Sequence, residues 1–180
     1  MQIYRDGRRS TSTARLQLPA GAQGNMQTLS QMARIVREDA EQKDVRRWIK
    51  RDIIGIENRS LDERINAAFE FCRDKLIYTP EETGFETVAD LWSALYSLND
   101  KHPSGDCAVK SASLATMLAC FDLKPIFIAV RQVKNVDWFN HVYVALPSGN
   151  GYQSLDPTPP EFRAGDEVGS YQKIRFQIFK

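Results

Sequence analysis

The sequence predicts an α+β domain in which helices come first and an antiparallel β-sheet follows. Up to about residue 120, apolar residues recur at the spacing of amphipathic helices. Behind that point the period changes to two, which is typical of half-buried strands. Helices followed by a meander of strands indicate this class of fold. The chain of 180 residues is long enough for one domain with a full core.

The first part of the chain is predicted to differ from the rest. Residues 1–24 are expected to form an N-terminal arm or a β-hairpin, and residues 25–180 a single domain. MQIYR and TARLQL can form two short strands around Asp6-Gly7, which suits a tight turn. The segment is basic, with Arg5, Arg8, Arg9 and Arg15. It is expected to be a solvated arm, with contact to a negatively charged partner surface as the alternative.

Helices are expected through the first two thirds of the domain. The first covers about 27–42, and a second, or the same helix bent, covers about 45–55. A third covers about 61–76 and places Cys72 on its apolar face, so Cys72 is predicted to be a core residue. A short helix near 87–98 and the loop NDKHPSGD precede the next helix.

Four strands are predicted behind the last helix. Three of them are Pro125–Gln132, His141–Leu146 and Tyr152–Leu155. The fourth is C-terminal, where the apolar residues of KIRFQI alternate with polar ones. The sequence PSGNG between the second and third strands requires a hairpin.

Composition excludes several classes of function. The net charge is +1, from 24 basic and 23 acidic side chains, so a dedicated nucleic-acid binder is not expected. No apolar stretch approaches the ~18–20 residues that cross a bilayer, and the N-terminus lacks the apolar core of a secretory signal. Three cysteines without CxxC spacing and two histidines predict no disulfide scaffold, no metal and no cofactor. A reducing compartment fits best, so a cytoplasmic location is expected.

Cys107 is unusual because it stands at the start of a helix. Ser104 or Asp106 can cap this helix, which places the thiol in its first turn. Cys120, deep in the following apolar run, is where a packing cysteine would lie. The positive end of a helix and a nearby imidazolium both lower the pKa of a thiol. Cys107 is therefore expected to be the most acidic of the three thiols and a nucleophile.

A base and an orienting carboxylate can be assigned from the predicted sheet. His141 begins a strand, where the backbone is held, whereas His102 lies in a loop. Asp156 ends the next strand, fifteen residues after His141. The hairpin returns Asp156 to the level of His141, and a histidine base needs such a partner to hold its tautomer.

Two longer segments resemble the transglutaminase-like superfamily. SGDCAVKSASLATMLACFDLKPIFIAV is similar to its cysteine motif, and NHVYVALPSGNGYQSLDPTPP to its histidine motif followed by Leu-Asp-Pro-Thr. DKLIYTP resembles the segment that precedes the cysteine helix, so the likeness covers about residues 60–160. It implies a papain-like α+β fold with Cys107 as nucleophile, His141 as base and Asp156 as orienting acid. The extra β-domains and acidic calcium loop of the larger animal enzymes are missing.

The resemblance implies acyl transfer on an amide through a thioester on Cys107. Water would give peptide or isopeptide hydrolysis, and a lysine amine would give a cross-link. The backbone N–H of Cys107 and the side chain of Trp92 are the candidate oxyanion donors, with Tyr78 as another possible donor. The expected partner is a protein or peptide substrate.

Two alternatives remain open at this point. Compact members of the superfamily occur in bacteria and phages, and the chain could be a non-enzymatic or degenerate structural or adaptor protein, for example of a virion. Such a module would dock through its basic N-terminal arm, in the host cytoplasm or the virion. The second alternative is an amidase or acetyltransferase that uses the same three residues on a small molecule.

Overall fold

The computed structural model describes residues 13–16, 22–55, 59–80, 86–95 and 103–179. In chain order the elements are β1 (Thr13–Leu16), α1 (Ala22–Glu41), α2 (Lys43–Trp48), a π-helical turn (Ile49–Ile53), α3 (Leu61–Lys75), β2 (Ile77–Tyr78), β3 (Glu86–Ala89), α4 (Leu91–Leu95), β4 (Ser104–Gly105), α5 (Cys107–Cys120), β5 (Ile126–Arg131), β6 (His141–Ser148), β7 (Gly151–Leu155) and β8 (Gln172–Gln177). The long helices precede the large sheet, which confirms the predicted α+β class.

Helix α5 runs through the centre of the fold. Every residue from Ala108 to Cys120 is buried. Helices α1 and α3 and strand β6 pack around it. A helix buried on all sides needs small and apolar residues on all sides, which the sequence of α5 supplies. Cys107, the first residue of the helix, is partly exposed, so α5 reaches the surface at the end that carries this thiol.

The large sheet has four antiparallel strands in the order β7-β6-β5-β8. Strands β5, β6 and β7 form the predicted meander, and β8 returns to pair with the far edge of β5. Residues such as Phe127 and Val144 on one face belong to the main core around α5. The other face carries a smaller cluster that includes Ile128 and Tyr143. The predicted strands and their antiparallel pairing are confirmed.

The hairpin predicted from PSGNG joins β6 and β7. Ser148 pairs with Gly151, which leaves a two-residue turn. Gly149 in that turn has a φ of 53°, the left-handed region that glycine adopts without strain. The register then pairs Val144 with Leu155, so the end of β7 lies beside the first half of β6.

The predicted helix near 87–98 is wrong in its first half. The chain there forms strand β3, which pairs antiparallel with β1. Val88 is fully buried in this pair, and a β-branched residue suits a strand. Asp90 then starts α4, because its carboxylate accepts a hydrogen bond from the N–H of Ser93 at 2.6 Å. The sequence also predicts that MQIYR pairs with the segment that contains β1, but MQIYR lies outside the described residues.

The helices before β2 begin and end close to the positions that the sequence predicts. The π-helical turn that continues α2 ends shortly before Gly55, which has a φ of 61°. Helix α3 begins with a capping box, in which Ser60 and Glu63 each bond the other's backbone N–H. Cys72 of α3 is fully buried, which confirms it as a core residue.

The domain boundary predicted at residue 24 stays a prediction. Strand β1 lies before residue 24 and pairs with β3, which lies after it. Helix α1 begins at Ala22 and continues past residue 24. Across the described ranges, none of the helices combines the length and apolar character that a membrane span requires.

Candidate active site

Cys107 is the first residue of α5 and follows the capping residue Asp106. The Asp106 carboxylate accepts a hydrogen bond from the N–H of Val109 at 2.9 Å, and its carbonyl accepts from that of Lys110 at 3.0 Å. The N–H groups of Cys107 and Ala108 have no acceptor inside the helix, since no turn precedes them. The first turn of α5 therefore presents two backbone donors beside the thiol.

A short parallel pair of strands holds the chain before Cys107. Strand β4 pairs with β2, with Tyr78 opposite Gly105. The N–H of Thr79 donates to the carbonyl of Gly105 at 3.1 Å. A Cβ at Gly105 would lie 2.4 Å from Cγ1 of Val109, closer than carbon atoms approach. Glycine is required here because the strand before Cys107 packs directly on the first turn of α5.

Asp156 holds the ring of His141. Its Oδ2 lies 2.7 Å from Nε2 of the imidazole. The His141 side chain is 8% exposed and that of Asp156 is 0% exposed. An ionised carboxylate can only accept, so the ring carries its proton on Nε2 and the lone pair of the neutral ring lies on Nδ1. The other carboxylate oxygen, Oδ1, accepts from the N–H of Thr158 at 3.0 Å.

The hairpin geometry explains this contact. Strand β6 begins at His141, and β7 ends one residue before Asp156. Val144 pairs with Leu155, and one further step of the same register places Asp156 opposite Tyr143. Asp156 therefore lies on the neighbouring strand path, two residues along β6 from His141.

Two contacts bring the start of α5 to the same end of β6. The backbone of Val142 lies close enough to Cys107 to lower the pKa of its thiol. The carbonyl of Val142 accepts from the hydroxyl of Ser111, which is fully buried one turn after Cys107, at 3.0 Å. Because Val142 directly follows His141, the start of α5 lies beside the end of β6 that carries His141.

The loop after Asp156 is anchored on both sides of the sheet. Arg73 of α3 donates from Nη1 to the carbonyl of Phe162 at 2.9 Å. On the other side, the hydroxyl of Tyr143 donates to the carboxylate of Glu167. These contacts fix the path of the chain that carries Asp156.

The surroundings of Cys107 disfavour its thiolate. Burial raises the pKa of the thiol, and the carboxylate of Asp106 raises it further. Glu86 and Asp156 act in the same direction, whereas the backbone of Val142 opposes them. Burial and the capping carboxylate of Asp106 together outweigh the lowering of the pKa that is expected at the positive end of a helix.

The prediction that Cys107 is the most acidic of the three thiols stays a prediction. Burial raises the pKa of Cys72 and of Cys120 to about 12. Burial also raises the pKa of Cys107. The resting side chain is a neutral thiol, and its ionisation needs a proton acceptor close by.

Trp92 and Tyr78, the side chains proposed from the sequence as oxyanion donors, both lie in the described part of the chain. Trp92 lies on α4, where its ring packs edge to face on Trp48 with centroids 4.9 Å apart. Tyr78 lies exposed on β2. Their roles as oxyanion donors stay predictions, and His102 lies outside the described residues. Within the described part of the chain, no three His, Cys, Asp or Glu side chains form a group that could hold a metal ion.

Three polar residues that fix this site escaped the sequence analysis. Ser111 ties α5 to β6, and Lys110 is a cation with 2% exposure. Asn25 of α1 donates to the carbonyl of Phe139 at 2.7 Å and accepts from its N–H at 2.9 Å, two residues before His141. A lysine inside the apolar run of α5 is a signal visible in the sequence. The partner of Asn25, 114 residues away, leaves no such signal.

Comparison with known proteins gives one likeness. No family model matches the chain, and no curated protein matches it. A crystal structure from Parabacteroides distasonis, titled a "putative protease", superposes with a TM-score of 0.53 at 15% sequence identity. The match covers 79% of this chain and 30% of that one, so the chain spans less than a third of that protein's length. At this identity the likeness concerns the fold alone, which resembles that of a protein described as a protease.

Proposed function

We propose that the protein is a cysteine-dependent enzyme of the transglutaminase-like superfamily, which transfers acyl groups from amides through a thioester on Cys107. The observation that carries this proposal is the 2.7 Å contact between the nearly buried His141 and the fully buried Asp156, at the strand end where α5 begins. Burying both groups has a desolvation penalty. Orienting a base towards a thiol is a function that explains such a pair.

The first half-reaction forms the thioester. Nδ1 of His141 takes the thiol proton as the sulfur of Cys107 attacks the amide carbon, and a tetrahedral oxyanion results. His141 then gives this proton to the departing amine, the C–N bond breaks and the C–S bond remains. Since burial raises the pKa of the thiol, the proton moves to His141 as attack occurs instead of resting there beforehand.

The second half-reaction releases the acyl group. Nδ1 of His141 takes a proton from water or from an incoming amine, and that nucleophile attacks the thioester carbon. The C–S bond breaks, and the proton returns to the sulfur of Cys107. Water gives hydrolysis and a lysine amine gives an isopeptide cross-link. Asp156 stabilises the charged imidazole in both halves.

The oxyanion needs hydrogen-bond donors close to the attacking sulfur. The backbone N–H of Cys107 is well placed for this task, because it has no acceptor within α5. Trp92 remains the proposed second donor. Removing one such donor reduces turnover by about 10²–10³ in a known protease.

An acylation experiment tests the proposal. The protein is incubated with p-nitrophenyl acetate, and the peptide that contains Cys107 is examined by mass spectrometry for an acetyl group. We expect acetylation of Cys107 in the wild type and in Cys72→Ala, and none in Cys107→Ala. Glutamine-containing peptides, with and without a fluorescent primary amine, then separate hydrolysis from cross-linking. Equal release of nitrophenol by the wild type and by Cys107→Ala would overturn the proposal.

The raised pKa of the Cys107 thiol favours one alternative function. A degenerate family member that serves as a structural or adaptor protein, for example in a virion, needs no reactive thiol. Its proposed docking element, the basic N-terminal arm, would then be needed for partner binding. In the acylation experiment this alternative predicts an unmodified Cys107. A cytoplasmic location and a protein or peptide substrate are parts of the enzymatic proposal and await the same test.

A further inference from the structure

A buried lysine lies one turn into α5, close to the proposed active site. Lys110 is 2% exposed, although lysine is almost never fully buried unless it is paired. Its Nζ donates to the carbonyl of Arg73 at 3.1 Å. This carbonyl lies in the last turn of α3, where it lacks a helical partner. One carbonyl satisfies one of the three N–H donors of an ammonium group and does not compensate its charge.

The chain brings Asp156 to the same region as Lys110. Lys110 precedes Ser111, whose hydroxyl donates to the carbonyl of Val142 on β6. The register of β6 and β7 places Asp156 opposite the residue after Val142. Arg73, which accepts from Lys110, also donates to the loop that follows Asp156. The lysine therefore contacts the end of α3, and the carboxylate contacts the start of β6, the strand that Ser111, the residue after Lys110, also binds.

The charge of Asp156 needs a partner. Its oxygens accept from the N–H of Thr158 and from the ring of His141, and both donors are neutral when the imidazole is neutral. A fully buried carboxylate without a cation tends to become protonated. A protonated Asp156 would donate to Nε2 of His141, and the ring proton would move to Nδ1. The lone pair on Nδ1, which the proposed base role of His141 requires, would then be lost.

The charges around Lys110 favour this pairing. Burial lowers the pKa of Lys110. The groups that oppose this lowering are Cys72, Asp156 and Asp74, whereas Arg73 adds to it. The groups that act on Asp156 in turn are His141, Cys107 and the lysine.

We propose that Lys110 is a positioning residue, whose buried ammonium group compensates the charge of Asp156 and so keeps the proton of His141 on Nε2. The assignment of a base role to His141 rests on the proposed function. The interaction of Lys110 with Asp156 does not, because it can be measured without any turnover.

A double-mutant cycle tests the interaction. Urea unfolding is measured for the wild type, Lys110→Met, Asp156→Asn and the double variant. We expect the unfolding midpoint to fall in Lys110→Met, and the same substitution to lower it by less than half as much in the Asp156→Asn background. Equal shifts in the two backgrounds would overturn the proposal. If the cycle shows the coupling but Cys107 is not acetylated, the inference about Lys110 stands and the proposed function fails.

NMR of the His141 ring separates a charge effect from a packing effect. The nitrogen shifts of the imidazole report which ring nitrogen carries the proton, and they are practical to assign because the chain has two histidines. The proposal requires the ring proton to move from Nε2 to Nδ1 in Lys110→Met, because the charge of Asp156 loses its compensating cation. Lys110→Arg keeps the charge and should keep the proton on Nε2. An unchanged tautomer in Lys110→Met, or the same change in both variants, contradicts the proposal.

Failure of a variant to fold also decides the question. If Lys110→Met does not fold, Lys110→Gln, which keeps an N–H donor for Arg73, is measured in its place. If neither folds, each is combined with Asp156→Asn. The proposal requires these double variants to fold, because the asparagine leaves no charge to compensate, and their failure would overturn it.

Discussion

Replacing Asp156 with asparagine would separate the two tasks of its side chain. The oxygen of the amide must face the N–H of Thr158, because the opposite orientation would set two donors against each other. Its NH₂ group then faces Nε2 of His141, which must accept. The ring proton consequently moves to Nδ1, and His141 loses the lone pair that its proposed role as a base requires.

The structure predicts a moderate loss of stability and a large loss of rate. Both hydrogen bonds persist, so their change from charge-assisted to neutral lowers the free energy of unfolding by about 1 kcal/mol. Loss of the charge that is proposed to pair with Lys110 lowers it further. In a serine protease the same substitution reduces turnover about 10⁴-fold through the wrong tautomer. We expect a loss of about 10³–10⁴ here, because the raised pKa of the Cys107 thiol makes its attack dependent on a competent base.

The assay compares the acylation rate with p-nitrophenyl acetate and the thermal unfolding of each variant. Asp166→Asn is a matched control, since the carboxylate of Asp166 accepts from the N–H of Arg163 at 2.8 Å in the same loop without touching a histidine. The control should keep the full rate. If Asp156→Asn instead melts much earlier while its folded fraction keeps the wild-type rate, Asp156 is a turn residue and the catalytic assignment fails.

Three further predictions concern the helix and its thiols. Gly105→Ala should lower stability by about 1–3 kcal/mol in urea unfolding, since its Cβ would lie 2.4 Å from a side chain of α5. Gly169→Ala, with nothing within 4 Å, should be neutral, and equal effects would refute the steric argument. Cys72→Ala removes a buried side chain, so it should lower the free energy of unfolding by about 1 kcal/mol and keep the acylation rate. Cys107→Ala should abolish acylation with little change in melting temperature. The reverse pattern would exchange the roles of the two cysteines. Iodoacetamide labelling of Cys107 in His141→Ala should be slow at neutral pH and rise only above the ordinary thiol pKa of about 8.5, because burial raises the pKa; rapid labelling at neutral pH would contradict this.

The parts of the site that sequence could predict are those set by local rules. A two-residue turn at Gly149 fixes which residues of β6 and β7 face each other, and the separation of His141 and Asp156 then follows by counting. The start of α5 was equally predictable, because Asp106 is a strong capping residue before an apolar run.

The parts that could not be predicted depend on distant partners. Residues 86–89 have no local feature that excludes a helix, and they form a strand because β1, seventy or more positions earlier, supplies the paired edge. The two hydrogen bonds between Asn25 and Phe139 join residues 114 positions apart, so neither segment alone reveals them. Pairings of this kind are decided by tertiary packing, which outweighs local propensity.

The protonation state of Cys107 is a third kind of property, because it depends on every charge near the sulfur. The carboxylate of Asp106 that makes α5 start at Cys107 also raises the pKa of its thiol, so the feature that predicts the position of the nucleophile argues against its resting ionisation. A neutral resting thiol resists adventitious alkylation and oxidation, which require the thiolate. In the proposed mechanism, reactivity then comes from His141 at the moment of attack. The imidazole must then be held in a precise orientation. This requirement accounts for a His141 side chain that is 8% exposed and bonded to a fully buried carboxylate.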